Sequence, residues 1–252
     1  MKIAVTGKGG SGKTTVASGL ALLYSKKNKS VIVVDCDPDL NLGVSLDFPN
    51  PEEIVPISQM KKLIAERTES DPDRPGGYFK LNPKVDDIPE KFSAKKDNIR
   101  LLVMGKVKKA AGGCLCPENT FIKNLLSHLI VTSEEVVILD MVAGSEHLGR
   151  GTAGAVDAFL IVTEPTWLGI NTGLHIKSLA LELGIKKIFF VGNKINNKED
   201  MDFLKSNLKE DVIGAISFNK NIVETRGKFV FDEKLTREFQ TICDALEASN
   251  VL

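Results

Sequence analysis

The sequence has no surplus of charge of either sign, since 33 lysine and arginine residues are balanced by 33 aspartate and glutamate residues. Proteins that bind nucleic acid through its phosphates usually carry a basic surface, and this balance gives no indication of one. Long apolar runs are also absent, and none approaches the ~20 residues that a membrane-spanning helix needs. We therefore expect neither nucleic acid nor a membrane as a partner.

Cysteine is scarce, with four residues at positions 36, 114, 116 and 243 of a 252-residue chain. That number does not make a disulfide framework in a chain of this length. The first residues lead straight into a strand pattern, which predicts that there is no secretion signal. We expect a reducing, cytoplasmic compartment, where a close cysteine pair is more typical of a metal or redox site than of a disulfide.

Apolar runs of strand length alternate with helical patterns through most of the sequence. The predicted strands are Met1–Thr6, Val31–Asp35, Ile99–Met104, Val136–Asp140, Ala158–Thr163, Lys187–Gly192 and Val212–Ser217, and the main predicted helices are Glu118–Ile130, Leu168–Leu183, Asp200–Leu208 and Lys234–Ala248. This alternation predicts a single α/β domain over residues 1–252, with a doubly wound, mostly parallel sheet and helices on both faces. Ligands of such sheets bind beyond the carboxyl ends of the strands.

Residues 43–98 break the alternation. They hold seven of the ten prolines and a Gly76–Gly77 pair. One helix is predicted there, Ser58–Arg67, and the remainder is predicted to be irregular. Such a segment is either a functional loop or a surface insertion without a role, and the sequence leaves both open.

The segment Gly7–Thr15 matches the phosphate-loop pattern G-x-x-x-x-G-K-[ST], between a predicted strand and a predicted helix. We predict that Lys13 reaches the β- and γ-phosphates of ATP and that the Thr14 hydroxyl binds Mg²⁺. Backbone N–H groups of the loop and the start of the helix should surround the phosphates. The predicted nucleotide-binding residues of the loop are Gly9, Gly10, Ser11, Gly12, Lys13, Thr14 and Thr15.

Acidic residues follow two of the predicted strands. Asp35 and Asp37 end the second strand, and Asp140 ends the run Val136–Asp140. We predict that Asp140 is associated with Mg²⁺ and that Asp37 orients the water that attacks ATP. Gly144 lies in a turn whose backbone is suited to contact the γ-phosphate. The alternative is that these acids cap the helices that follow them.

The phosphate loop carries a second lysine, Lys8, directly after its first glycine. In this respect Gly7–Thr15 resembles the deviant Walker-A class of MinD, ParA and the nitrogenase iron protein. The resemblance implies that Lys8 crosses a dimer interface to the partner's nucleotide and acts in catalysis with Lys13 and Asp37. It also implies that Asp35 and Asp37 lie in switch I and Asp140–Gly144 in switch II, and that Asn193 contacts adenine.

Cys114 and Cys116 precede the predicted helix Glu118–Ile130. A helix N-terminus favours the thiolate form, and thiolates are soft metal ligands. Structural zinc takes four ligands, whereas one pair supplies two, so two copies of the chain would complete a site across a twofold axis. The alternatives are a pair of unreactive cysteines, a redox pair and an iron–sulfur cluster shared by the dimer.

Three stretches resemble the CooC-type ATPases that mature nickel-dependent carbon monoxide dehydrogenase. They are Cys114–Asn119, Phe79–Asp87 and Ala143–Gly151, while Met141 and Val142 stand where that pattern has a nearby acid. The resemblance implies an ATP-hydrolysing, homodimeric metallochaperone that binds ATP or ADP, Mg²⁺, and Ni²⁺ or Zn²⁺. Its implied client is carbon monoxide dehydrogenase. The other functions considered are a MinD- or ParA-like positioning ATPase and an iron–sulfur carrier.

Overall fold

The computed structural model describes residues 1–37, 41–70, 77–105, 116–132, 135–142, 156–209, 212–225 and 227–249. Its strands form a single sheet in the order β3-β4-β2-β5-β1-β6-β7-β8. All neighbouring strands are parallel except β3 and β4, which are antiparallel. The strands are β1 (Lys2–Gly7), β2 (Val31–Asp35), β3 (Ala94–Lys96), β4 (Ile99–Val103), β5 (Val136–Asp140), β6 (Ala158–Thr163), β7 (Ile188–Ile195) and β8 (Val212–Ser217). The predicted fold class is confirmed.

Helices cover both faces of this sheet. They are α1 (Lys13–Lys26), α2 (Leu42–Ser45), α3 (Lys61–Thr68), α4 (Ile88–Phe92), α5 (Pro117–Thr132), α6 (Trp167–Glu182), α7 (Lys198–Leu208), α8 (Lys220–Glu224) and α9 (Glu233–Ala248), with 3₁₀ turns at Pro51–Glu53 and Ile57–Gln59. The core on one face includes residues of α3, α5, α6 and α7, and the core on the other includes residues of α1, α2 and α9.

The first strand shows why the sheet is buried on both sides. Ile3 and Val5 belong to the core beneath α1 and α9, whereas Ala4 between them belongs to the opposite core. Successive side chains of a strand point to opposite faces, so a strand that is covered on both faces needs a continuous apolar run. This requirement explains the uninterrupted hydrophobic character of the central strands.

The segment 43–98 is more regular than predicted, because it also contains α2, α4 and β3. The expectation that it is irregular outside one helix is wrong for these elements. Ile57, Ile64 and Ile88 are at most 2% exposed and join the core beside α5. The strand β3 escaped prediction because Ala94-Lys95-Lys96 is a short, lysine-rich edge, which lacks the apolar alternation of a half-buried strand.

Candidate functional site

The carboxyl ends of the central strands bring the predicted nucleotide residues together. The phosphate loop follows β1 in the middle of the sheet, with β5 on one side and β6 on the other. Asp35 and Asp140 are register partners at the ends of β2 and β5. Asn193 lies near the end of β7, across β6 from the loop. The edge predicted to bind the ligand is therefore the edge at which these residues meet.

The backbone of the phosphate loop requires glycine at two of its positions. Gly10 and Gly12 have φ angles of +78° and +96°, in the left-handed region that L-residues rarely adopt. A Cβ atom on Gly12 would also lie 2.0 Å from Asn193 Nδ2. The loop closes with a hydrogen bond of 3.0 Å from the Ser11 N–H to the Lys8 carbonyl, and α1 begins directly afterwards at Lys13.

The loop holds polar groups that are suited to a bound anion. Lys13 is 7% exposed and Ser11 is 1% exposed. The Ser11 hydroxyl finds no hydrogen-bond partner among the residues that the structure describes. A buried ammonium group and an unsatisfied hydroxyl at a helix N-terminus match the needs of a phosphate group.

Asp140 and Thr14 are in direct contact beside the loop. The Thr14 hydroxyl donates to Asp140 Oδ2 over 2.6 Å. The other carboxylate oxygen, Oδ1, is buried and has no hydrogen-bond partner within the described ranges. A hydroxyl and a carboxylate with a spare oxygen are the hard oxygen ligands that Mg²⁺ prefers, so these two residues fit the predicted magnesium site.

Burial raises the pKa of Asp140 to about 7. The nearby charges of Asp35 and Asp37 act in the same direction, whereas the hydrogen bond from Thr14 and the charge of Lys13 oppose the shift. A carboxylate whose charged form is disfavoured in this way gains most from a bound cation. The electrostatics and the unpartnered oxygen thus point to the same ligand.

Asp35 is hydrogen-bonded to two backbone positions in and after the predicted switch I. Its carboxylate is fully buried and accepts hydrogen bonds of 3.0 Å from the backbone N–H groups of Asp37 and Leu42. Leu42 is the first residue of α2, whose N-cap residue is Asn41, so Asp35 binds the first N–H group of this helix without being its N-cap residue. Asp37 is half-buried, and Asp39 lies outside the described residues.

Asn193 contacts the phosphate loop directly. Its Nδ2 donates to the Ser11 carbonyl over 2.7 Å, and the residue is 5% exposed. Its contact with adenine stays a prediction. Sequence reasoning missed the next residue, Lys194, whose ammonium group donates to the Gly10 carbonyl over 2.8 Å and pairs with Glu164. A β-bulge in β7 positions this lysine, and the local sequence does not indicate that bulge.

The cysteines fall into two groups. Cys36 and Cys243 are buried in the core, and burial raises the pKa of both thiols. Cys116 is half-buried directly before α5, and its carbonyl accepts the Thr120 N–H over 3.0 Å. Cys114 and Gly144 lie outside the described residues, as does the whole stretch 143–151. Within the described ranges, no three His, Cys, Asp or Glu side chains are grouped to hold a metal ion.

The burial of α9 is relevant to whether this helix could bind a membrane. Leu235, Phe239 and Ile242 of α9 are at most 1% exposed and pack in the core. None of the helices within the described ranges combines the length and apolar character that crossing a membrane requires.

The fold and the phosphate loop define the class: the protein is a P-loop nucleotide-binding protein. The chain belongs to the CobQ/CobB/MinD/ParA nucleotide binding domain family, whose model matches residues 2–229. It is an ATPase of this family, as the resemblance implied.

Two relatives cover most of the chain. The sequence is 45% identical over 249 residues to an uncharacterised ATP-binding protein of Methanocaldococcus jannaschii, with 96% of each chain covered. It is 43% identical over 225 residues to the carbon monoxide dehydrogenase accessory protein CooC of Rhodospirillum rubrum, with 88% of this chain and 85% of that protein covered. The predicted CooC-type resemblance is confirmed.

A solved structure supports the fold. A chain of the MinC:MinD cell division protein complex of Aquifex aeolicus superimposes with a TM-score of 0.66 at 19% identity, and the match covers 98% of this chain and 94% of that chain. At this identity the likeness concerns the fold alone.

Proposed function

We propose that this ATPase is a dimerising metallochaperone switch that serves the maturation of a nickel enzyme, with carbon monoxide dehydrogenase as its client. The observation that carries the proposal is the 43% identity to the CooC accessory protein over 88% of the chain. An identity of this size over most of both chains favours a shared activity over a shared fold alone.

The nucleotide chemistry follows from the residues around the loop. Thr14 and Asp140 would hold Mg²⁺, which neutralises charge on the β- and γ-phosphates. Lys13 binds the same phosphates from the base of the loop, and Asp37 orients the attacking water. Lys8 of each protomer reaches the partner's nucleotide and stabilises the charge that develops as the phosphate bond breaks.

Asp35 links hydrolysis to a structural change. Its carboxylate holds the backbone of Asp37 and the first turn of α2 together. A movement of Asp37 toward or away from the γ-phosphate is therefore transmitted to α2, whose Ser45 hydroxyl accepts a 2.7 Å hydrogen bond from Ser18 of α1. Loss of the γ-phosphate contact relaxes such switch segments.

Cys114 and Cys116 supply the metal ligands. Cys116 stands directly before the first residue of α5. Two protomers facing each other provide the thiolates that a tetrahedral metal site needs, and ATP binding controls their approach. The metal, Ni²⁺ or Zn²⁺, is cargo that the dimer transfers to its client after hydrolysis.

The other functions are less well supported. A lipid-binding positioning ATPase needs an exposed amphipathic helix, whereas α9 buries its apolar residues in the core. Balanced charge does not favour DNA as a partner. An iron–sulfur carrier would use the same cysteines, and a visible absorption band after anaerobic reconstitution would identify it.

The test is metal binding by a variant that carries both Cys114→Ser and Cys116→Ser. We expect the wild type to bind one Ni²⁺ or Zn²⁺ per dimer in equilibrium dialysis and the double variant to bind none. Cys243→Ala is the matched control, because that thiol is buried and distant in sequence, and it should bind metal as the wild type does. Full metal binding by the double variant would refute the proposed site.

The role of Lys8 is tested separately. Lys8→Ala should retain nucleotide binding but lose ATP-induced dimerisation in sedimentation experiments, because Lys13 remains to bind phosphate. Unchanged ATP-dependent dimers of Lys8→Ala would count against a nucleotide shared between protomers.

A further inference from the structure

Two neighbouring residues near the end of β7 hold two neighbouring carbonyl groups of the phosphate loop. Asn193 Nδ2 donates to the Ser11 carbonyl over 2.7 Å, and Lys194 Nζ donates to the Gly10 carbonyl over 2.8 Å. The N–H groups of a phosphate loop must turn toward the anion, so its carbonyls turn away and need donors of their own. Side chains of β7 supply them here.

A regular strand would not bring both side chains to the loop. Val191 packs in the core beneath α1 and Phe190 packs in the opposite core, so strict alternation would direct Asn193 and Lys194 to different faces. The pairing of β7 with β8 is irregular at this point, since Gly192 pairs with Ala215 and Ile195 pairs with Ser217. Two residues of β7 therefore stand opposite one residue of β8, which is a β-bulge.

The backbone of the bulge is unusual for a lysine. Lys194 has a φ angle of +60°, in the left-handed region where a side chain carries a steric cost. Glycine would adopt this conformation without that cost. A bulge with a strained non-glycine residue at a ligand site often aims a side chain at a particular position.

The ammonium group of Lys194 is also anchored from the other side. It pairs with Glu164, which directly follows β6 and is 18% exposed at its side chain. The lysine thus spans from the end of β6 to the phosphate loop and is fixed at both contacts. A charge-assisted hydrogen bond of this kind is stronger than a neutral one.

We propose that Lys194 is a positioning residue for nucleotide binding: the β7 bulge places its ammonium group on the Gly10 carbonyl and so holds the phosphate loop in its anion-binding conformation. It touches the loop and not the reacting atoms, so its contribution falls on the affinity for nucleotide. The role concerns ATP binding and is independent of the proposed metal transfer, so either can fail without the other.

The experiment compares Lys194→Met and Lys194→Gly with the wild type. We expect both variants to raise the KM for ATP and the Kd for ADP about tenfold, with kcat changed less than about twofold. Lys194→Gly should melt at or above the wild-type temperature without nucleotide, because glycine removes the backbone strain. Lys205→Met, a change at an exposed lysine of α7, is the matched control and should bind nucleotide normally.

Either of two results would overturn the proposal. The first is wild-type nucleotide affinity in Lys194→Gly, which would show that the ammonium group is dispensable even where the variant folds without strain. The second is a loss of affinity that follows a matching fall in melting temperature in both variants, which would indicate a structural role alone. Cysteine-dependent metal binding should be unchanged in both variants.

Discussion

The phosphate loop lies between two groups of polar side chains, which differ in whether their polar atoms have hydrogen-bond partners. The acidic side, Asp35, Asp37 and Asp140, contains a buried carboxylate oxygen without a partner within the described ranges. The donor side, Asn193 and Lys194, has its polar groups bonded to carbonyls of the loop. The acidic side keeps an oxygen that fits a cation, whereas the donor side is bonded directly to the loop.

The two groups are therefore expected to have different roles at the same edge of the sheet: the acidic side acts in hydrolysis, and the donor side holds the phosphate loop in position. On the acidic side, burial disfavours the charge of Asp140 and raises its pKa to about 7. On the donor side, Asn193 and Lys194 are held by hydrogen bonds to carbonyl groups of the loop. Substitutions on the acidic side should therefore change kcat, and substitutions on the donor side should change affinity.

The largest effect on ATP hydrolysis should come from a substitution in the phosphate loop itself, which lies between the two groups. Lys13→Ala removes the buried ammonium group that we predict to bind the β- and γ-phosphates, and we expect kcat/KM for ATP to fall at least about a thousandfold. Isothermal titration should also detect no ATP binding at micromolar concentrations. Residual hydrolysis within about tenfold of the wild type would mean that Lys13 does not contact the phosphates.

Asp140→Asn tests the acidic side. The substitution removes the carboxylate beside Thr14 that would neutralise Mg²⁺, and we expect kcat to fall about a hundredfold or more, with a smaller change in ADP affinity. Steady-state hydrolysis at saturating Mg²⁺ and ATP measures the effect. A variant that loses affinity while keeping kcat would show that Asp140 acts in binding, as the donor side is expected to do.

Asp35→Asn separates switch positioning from stability. Each carboxylate oxygen of Asp35 accepts one backbone N–H, from Asp37 or from Leu42. Asparagine has a single acceptor oxygen, so one of these two hydrogen bonds is lost, at a cost of about 2 kcal/mol. We expect the melting temperature to fall by about 4–8 °C and kcat to fall about tenfold with little change in KM. Asp47→Asn, at an acid whose side chain is 56% exposed, should change neither.

Asp140 should also make the stability of the nucleotide-free protein depend on pH. Its pKa is raised from 3.8 to about 7 in the folded state, so the unfolded chain releases this proton first. Between pH 4 and 7 this residue therefore lowers the free energy of unfolding as pH rises, and the loss is complete above pH 7. Asp140→Asn should remove this slope and gain on the order of 1–3 kcal/mol at pH 8. Denaturant unfolding at several pH values without Mg²⁺ measures it, and parallel pH profiles of the two proteins would contradict it.

Much of the architecture could be predicted from the sequence because local signals and packing agree. The strands Val31–Asp35, Val136–Asp140, Ala158–Thr163 and Val212–Ser217 have the predicted bounds. The first three are fully buried apolar runs, as a two-sided core requires. The phosphate loop was predictable because a few glycines and the Lys13-Thr14 pair define its chemistry within one short segment.

What escaped prediction depends on contacts between distant parts of the chain. Asp35 was assigned to switch I, but its two backbone contacts depend on how the chain returns at Leu42. Lys194 owes its position to a register shift between β7 and β8, which no local pattern indicates. The strand β3 forms by pairing with β4 and has no apolar pattern of its own.

In the proposed mechanism, the ATP site controls a metal site that two protomers share. Native mass spectrometry of anaerobically purified protein, with Ni²⁺ or Zn²⁺ and either a non-hydrolysable ATP analogue or ADP, tests it most directly. We predict a dimer with a single metal ion in the analogue, and weaker dimerisation or metal retention in ADP. One metal ion per monomer, or a metal-bound dimer that is indifferent to the nucleotide, would contradict the claim.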